Sequence, residues 1–243
     1  MSFLVIGHRG AAGLAPEHTR PSFERALAHG VDMIELDVQL TRDEQLVVMH
    51  DRELNRTTSA TGPVRERTLA ELRQLDTGGW FGEAFRGERV LTLTEVFELL
   101  AGRAALNVEI KSPEPDWKRT ADELATVLSG ERLTKTIVSS FEMGALAAVR
   151  ERLSQVQIGV LWHQLDLEPA WEWAARLRAS AFHPHAPLVT DEVVRVAHDL
   201  DLCVNTWTVN DEVDMERLAA LGVDGIISDF PDRLQKVRQR LSH

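Results

Sequence analysis

Short apolar runs of strand length alternate with helix-period segments along the whole chain, and this alternation limits the fold more than any other feature. Phe3–Gly7, Val31–Val38, Ala105–Lys111, Thr136–Ser140, Val156–Leu161, Ala181–His183, Leu202–Trp207 and Val223–Ser228 read as strands. Helical patterns follow them at Pro21–His29, Leu93–Leu100, Asp116–Leu128, Met143–Arg152, Pro169–Leu177, Asp191–Asp199, Asp211–Leu221 and Asp232–Leu241. Eight β-then-α units fill the 243 residues at roughly 30 residues each, the length of a parallel βαβ repeat. The expected fold class is α/β, a closed (β/α)8 TIM barrel over residues 1–243; an open, doubly wound sheet is the alternative.

One segment breaks the rhythm. Between the second strand and its helix, residues of about 41–89 hold a strand-like Gln45–His50, a helix-like Leu69–Leu75 and a run of glycines around Trp80-Phe81. A structureless loop of that size is rare in a compact domain. It is expected to form a small inserted subdomain on the catalytic end of the barrel, anchored by its aromatic pair. Composition narrows the function. The single cysteine excludes an internal disulfide and a thiolate zinc cluster; Cys203, in an apolar run, reads as inert core. A net charge of −11 repels nucleic acid and anionic membranes, and no apolar run reaches the 18 or so residues of a membrane span. The N-terminal MSFLVIG meets His8-Arg9-Gly10 without a basic region, so it does not read as a signal peptide, and a cytoplasmic location is expected.

In Val31–Val38, side-chain alternation puts Glu35 and Asp37 on one face. They sit at a strand's C-terminal end, where barrel enzymes place their chemistry. Paired carboxylates repel unless something positive lies between them; a divalent cation is one remedy, a solvated edge strand the bland reading. Asn107–Lys111 repeats the pattern and brings Glu109 and Lys111 inward beside them. Three carboxylates without a thiolate select a hard cation such as Mg²⁺ or Ca²⁺. Lys111 either binds an anion next to that cation or forms a structural ion pair. His8 and Arg9 follow the first strand between Gly7 and Gly10, and His50-Asp51 closes Gln45–Met49. Two imidazoles at strand ends offer an acid and a base, and the Arg9 fork suits phosphate. Singly, each histidine is more often structural. Together with the carboxylates they make a set suited to phosphoryl-ester cleavage. Elsewhere, His183 and His185 read as loop residues near the barrel mouth rather than a second metal site. Trp162-His163 reads as pocket rim, Trp171 and Trp173 as helix packing, and Asp229 as a turn residue before Pro231.

The ordered motifs Gly7-His8-Arg9-Gly10, Ala15-Pro16-Glu17, Ile34–Val38, Val48–Asp51 and Val108–Lys111, continued by Ser139–Phe141, Asn205–Asn210 and Gly222–Pro231, resemble the glycerophosphodiester phosphodiesterases. The resemblance covers essentially the whole chain. It implies a (β/α)8 barrel with an insertion after strand two, and divalent-cation-dependent hydrolysis of a small glycerophosphodiester to sn-glycerol 3-phosphate and an alcohol. His8 and His50 then match the acid–base pair, Glu35, Asp37 and Glu109 the metal ligands, and Arg9 and Lys111 the phosphate contacts. Glu17, Phe141 and Trp207 match substrate contacts, the two aromatics as walls against the glycerol. The family usually has Asn where this chain has His18. A non-catalytic binding barrel, and a lyase-type relative that stops at a cyclic phosphate, are the competing functions.

Overall fold

The first strand, β1 (Leu4–His8), pairs in parallel with both β2 (Met33–Leu40) and β9 (Gly225–Ser228) in the computed structural model, which describes residues 3–242. Ile6 faces Met33 on one side and Ile227 on the other, and Gly7 likewise faces Ile34 and Ser228. The sheet therefore closes on itself, and the open-sheet alternative is excluded. Around the ring, β2 is followed by β4 (Ala105–Ile110), β5 (Thr136–Ser140), β6 (Gln157–Trp162), β7 (Ala181–Pro184), β8 (Cys203–Thr206) and β9. The remaining strand, β3 (Leu46–Val48), lies outside the ring and pairs antiparallel with the upper end of β2, Leu40 facing Leu46.

Helices α1 (Arg20–Ala28), α3 (Leu93–Leu100), α4 (Trp117–Val127), α6 (Met143–Arg152), α7 (Glu168–Leu177), α8 (Asp191–Asp199), α9 (Glu212–Ala220) and α10 (Pro231–Leu241) connect consecutive barrel strands or close the chain; α2 (Leu69–Leu72) and α5 (Glu131–Thr134) are single turns. Local chemistry sets their starts. Thr92 and Glu95 form a reciprocal capping box on α3, Thr190 caps α8 and Asp211 caps α9. Prolines sit in the first turns of α1, α7 and α10. None of the helices among the described residues is long and apolar enough to cross a membrane.

Alternation along the strands sorts the core. Val5, Ile34, Val138 and Ile226 face the helices in the main apolar cluster, whereas Ile6, Met33, Ile137 and Ile227 form a separate cluster. Advancing two residues from members of that second set gives His8 and Glu35, so the same face carries the apolar layer and then the polar groups. A third cluster belongs to the insertion: Val47, Met49, Leu54, Val64, Leu72 and Val90 bury one another. Trp80 is not the anchor expected of it. It stays 42% exposed, with its indole N–H on the Thr77 carbonyl. The contact to the barrel helix runs instead through Phe85, over which Arg25 of α1 lies at 5.4 Å. Cys203 is exposed rather than core, because it opens β8 instead of lying within it.

Candidate active site

β1 ends in a sharp turn that only a narrow set of residues permits. A Cβ on Gly7 would lie 2.2 Å from the Gly10 carbonyl oxygen, and one on Gly10 2.5 Å from Ser22 Oγ. Arg9 between them is left-handed (φ +50°). Its N–H donates to Glu35 Oε2 at 3.1 Å, and its carbonyl accepts from Ser22 Oγ and the His18 N–H. The turn thereby ties the His8-Arg9 pair to the end of β2. His18 is itself left-handed (φ +61°), a conformation that Asn and His tolerate better than most residues. The His18 Nε2 accepts from the Asp37 N–H at 3.2 Å, which ties this loop to β2 as well.

The strand register places the acidic side chains. His8 is level with Glu35 on the neighbouring strand, and Asp37 with Glu109. Glu35, Asp37 and Glu109 are buried, and one oxygen of each lies within 4.8 Å of the others. Burial and the charges of Asp37 and Glu109 push Glu35 well above the usual carboxylate range; burial and Asp37 push Glu109 up to about 8. Asp37 moves the other way. Burial alone would raise it, but His18, Lys111 and Arg9 hold it well below its ordinary value. The three groups thus resist carrying three negative charges. Both Asp37 oxygens are buried without a well-formed hydrogen bond, the nearest side-chain nitrogens standing at 3.2 Å (His18 Nε2), 3.4 Å (Arg9 Nε) and 3.5 Å (Lys111 Nζ). An all-oxygen set with unmet acceptors fits a hard divalent cation, and this acidic group could hold one.

A cleft of ≈ 150 Å³ opens above the carboxylates, small beside the roughly 300–1,000 Å³ of drug-sized ligand sites. Its walls include the polar side chains of His8, Arg9, Glu35, His50, Glu109 and Lys111 and the apolar ones of Phe141, Leu161 and Trp207. Phe141 and Trp207 meet edge to face at 5.4 Å, and the Trp207 indole is fixed by donating to the His183 carbonyl at 2.8 Å. Both histidines are held from behind. His8 Nδ1 lies 2.6 Å from Asp229 Oδ1, and His50 Nδ1 lies 2.6 Å from Asp51 Oδ1. An ionised carboxylate only accepts, so each Nδ1 carries the proton and leaves Nε2 for the cleft. Burial lowers the His50 pKa, with Arg9 and Lys111 adding to it against Asp37 and Asp51.

Residues 8–233 match the glycerophosphoryl diester phosphodiesterase family. The chain belongs to that family. A glycerophosphodiester phosphodiesterase of Caldanaerobacter subterraneus subsp. tengcongensis is 41% identical over 236 residues, covering 96% of this chain and 97% of its own length. One from Bacillus subtilis is 34% identical, covering 97% and 86%. Among solved structures, an Oleispira antarctica phosphodiesterase in complex with the product sn-glycerol-3-phosphate superposes with a TM-score of 0.91 at 30% identity, covering 96% of each chain.

Within this phosphodiesterase the cleft gathers nine of the ten expected site residues around one space: His8, Arg9, Glu35, His50, Glu109, Lys111, Phe141 and Trp207 line it, and Asp37 lies beneath, beside Lys111 and Arg9. Glu17 does not line it; its carboxylate sits behind Arg9, accepting from Arg9 Nη1 at 2.8 Å. Lys111 forms the ion pair offered as one reading of it, its Nζ lying 2.5 Å from Glu109 Oε1, and it also lines the cleft. Three groups escaped the sequence. Asp229 does more than end a turn: it meets His8 and accepts from Asn210 Nδ2 at 2.6 Å. Its presence in the Gly222–Pro231 motif was a signal, but the partner is 221 residues away. Arg56 had no periodic or motif signal. His183 was read as a loop residue, yet it is fully buried in the barrel, with a pKa lowered to about 4 by that burial. Gly159 leaves room for it, since a Cβ there would lie 2.6 Å from the imidazole. Of the rim residues, His163 touches Phe141 at 5.2 Å, while Trp162 is buried and absent from the cleft walls.

Proposed function

We propose that this enzyme hydrolyses glycerophosphodiesters to sn-glycerol 3-phosphate and an alcohol, with a divalent cation, Mg²⁺ or Ca²⁺, and with His8 and His50 as the proton-transfer pair. The observation that carries the reading is the convergence, on one small cleft, of three buried carboxylates, two cationic side chains and two imidazoles of fixed tautomer. The product named in the Oleispira antarctica complex supports the same substrate class here. Glu35, Asp37 and Glu109 would hold the cation, which supplies a positive charge beside the phosphate and polarises a phosphoryl oxygen.

The protein's own groups divide the remaining work. Arg9 presents a planar guanidinium and Lys111 a compact ammonium to the other phosphate oxygens, offsetting the charge that grows as the nucleophile attacks. One imidazole takes the proton from the nucleophile through Nε2, and the other gives its proton to the departing alkoxide. Following the family, the nucleophile is the glycerol's own 2-hydroxyl; the phosphorus–alkoxide bond breaks, and water then opens the cyclic phosphate to the 3-phosphate. Phe141 and Trp207 wall the glycerol carbons. Turnover of a glycerophosphodiester panel, followed by phosphorus NMR with Mg²⁺, with Ca²⁺ and after exhaustive chelation, tests this. Glycerol 3-phosphate formed only with a cation is expected. Undiminished turnover without any cation, or a cyclic phosphate as the final product, overturns it.

A further inference from the structure

Arg56 reaches out of the insertion and grips two carboxylates at once. Its Nη1 and Nη2 donate to Glu17 Oε2 and Oε1 at 2.7 and 2.8 Å, and its Nε and Nη2 donate to Asp51 Oδ2 and Oδ1 at 2.7 and 3.0 Å. Each carboxylate has a second client. Glu17 Oε1 accepts from Arg9 Nη1 at 2.8 Å, and Asp51 Oδ1 accepts from His50 Nδ1 at 2.6 Å. One guanidinium therefore stands midway between a side chain facing the phosphate and a side chain facing the transferred proton. We propose that Arg56 is a positioning residue that sets Arg9 and His50 in a common geometry, acting on the first through Glu17 and on the second through Asp51. The inference rests on the roles assigned above to Arg9 and His50.

Two observations favour positioning over a plain tether. Arg56 is 42% exposed, and exposed ion pairs add little to stability, yet both of its contacts are bidentate, the arrangement that fixes orientation. A planar fork can serve two carboxylates in one plane of donors, which a lysine ammonium cannot. The carboxylates respond accordingly. Burial alone would raise Glu17, but Arg56, His18 and Arg9 hold it at about 2; Arg56 and His50 hold Asp51 at about 2 against its partial burial. Both stay ionised, and so able to accept, throughout any working pH.

Steady-state kinetics on glycerophosphocholine with the supporting cation test the proposal. Partners that orient metal-ligating side chains change activity by about 10- to 100-fold when removed, and the lower end of that range is expected by analogy here. Glu17→Gln is expected to raise KM by about 10-fold with kcat near wild type, because it loosens Arg9, and Asp51→Asn to lower kcat by about 10-fold with KM near wild type. Arg56→Met should do both, and should change neither parameter further when added to the Glu17→Gln/Asp51→Asn double variant. Arg56→Lys should resemble Arg56→Met. Arg86→Met, which removes only a local ion pair with Glu83, should match wild type. Wild-type kinetics in Arg56→Met while Arg9→Met and His50→Ala are impaired overturns the proposal alone. So does an Arg56→Met effect that multiplies in full upon the double variant. Wild-type behaviour of Arg9→Met and His50→Ala would instead remove the underlying reading. If Arg56→Met melts below the assay temperature, the two single variants that keep Arg56 decide, and loss of the KM-against-kcat split refutes the inference.

Discussion

Each cleft histidine meets the solvent side of the site through one nitrogen and a carboxylate through the other. His8→Ala and His50→Ala are each expected to lower kcat by at least ~100-fold, with melting temperatures within a few degrees of wild type; wild-type rates in both would remove the acid–base pair. His183 shows the opposite fate of an imidazole. It is fully buried, and Asn205 Nδ2 stands 3.2 Å from its Nε2. Its pKa falls to about 4 in the folded chain, against roughly 6.5 unfolded. Between those values the unfolded state binds more protons, so stability rises with pH across that window, and His183 opposes folding by up to about 3 kcal/mol below it. Melting curves from pH 4 to pH 7 should be shallower in His183→Gln than in wild type. Strand parity was enough to read the inward carboxylates, since a period of two needs no tertiary knowledge. Asp51 stands next to His50 in the sequence, but the other partners were not readable that way: Asp229 meets His8 only when the barrel closes, and Arg56 meets Glu17 only when the insertion docks.

At the scale of elements, barrel strands and their helices were legible to within a residue or two, because each buries a face with a clear period. The insertion was not. Its strand shrinks to Leu46–Val48 and its helix to Leu69–Leu72, with three-residue 3₁₀ turns at Val64–Glu66 and Glu83–Phe85. Its order comes from side chains that cross the segment, such as Asp76 accepting from the N–H groups of Gly78, Gly79 and Gly87, and a short apolar run carries no trace of such partners. The small core of Val47, Met49, Leu54, Val64, Leu72 and Val90 makes the insertion separately vulnerable. Leu54→Ala should cost about 2–5 kcal/mol. Hydrogen exchange should show lost protection concentrated in residues 46–90, and kcat should fall with it, since His50 and Asp51 hang from this segment. Uniform loss of protection across barrel and insertion would contradict that separation.

For the molecule as a whole, the buried group of Glu35, Asp37 and Glu109, which could hold a cation, ties stability to what binds there. A ligand that binds only the folded state at a hundred times its dissociation constant adds about 2.7 kcal/mol, and each kcal/mol moves the melting temperature of a chain this size by roughly 2–4 °C. Scanning calorimetry with Mg²⁺ or Ca²⁺ and after chelation should therefore differ by roughly 5–10 °C; identical melts would argue that Glu35, Asp37 and Glu109 hold no ion. Ring closure has one more outcome. The carboxylate that grips the His8 Nδ1 sits 221 positions further along the chain, beyond the last strand of the ring. On the role proposed for His8, a chain cut short before Asp229 is expected to leave that imidazole without its carboxylate and so to turn over no phosphodiester, however much of the ring it has already laid down.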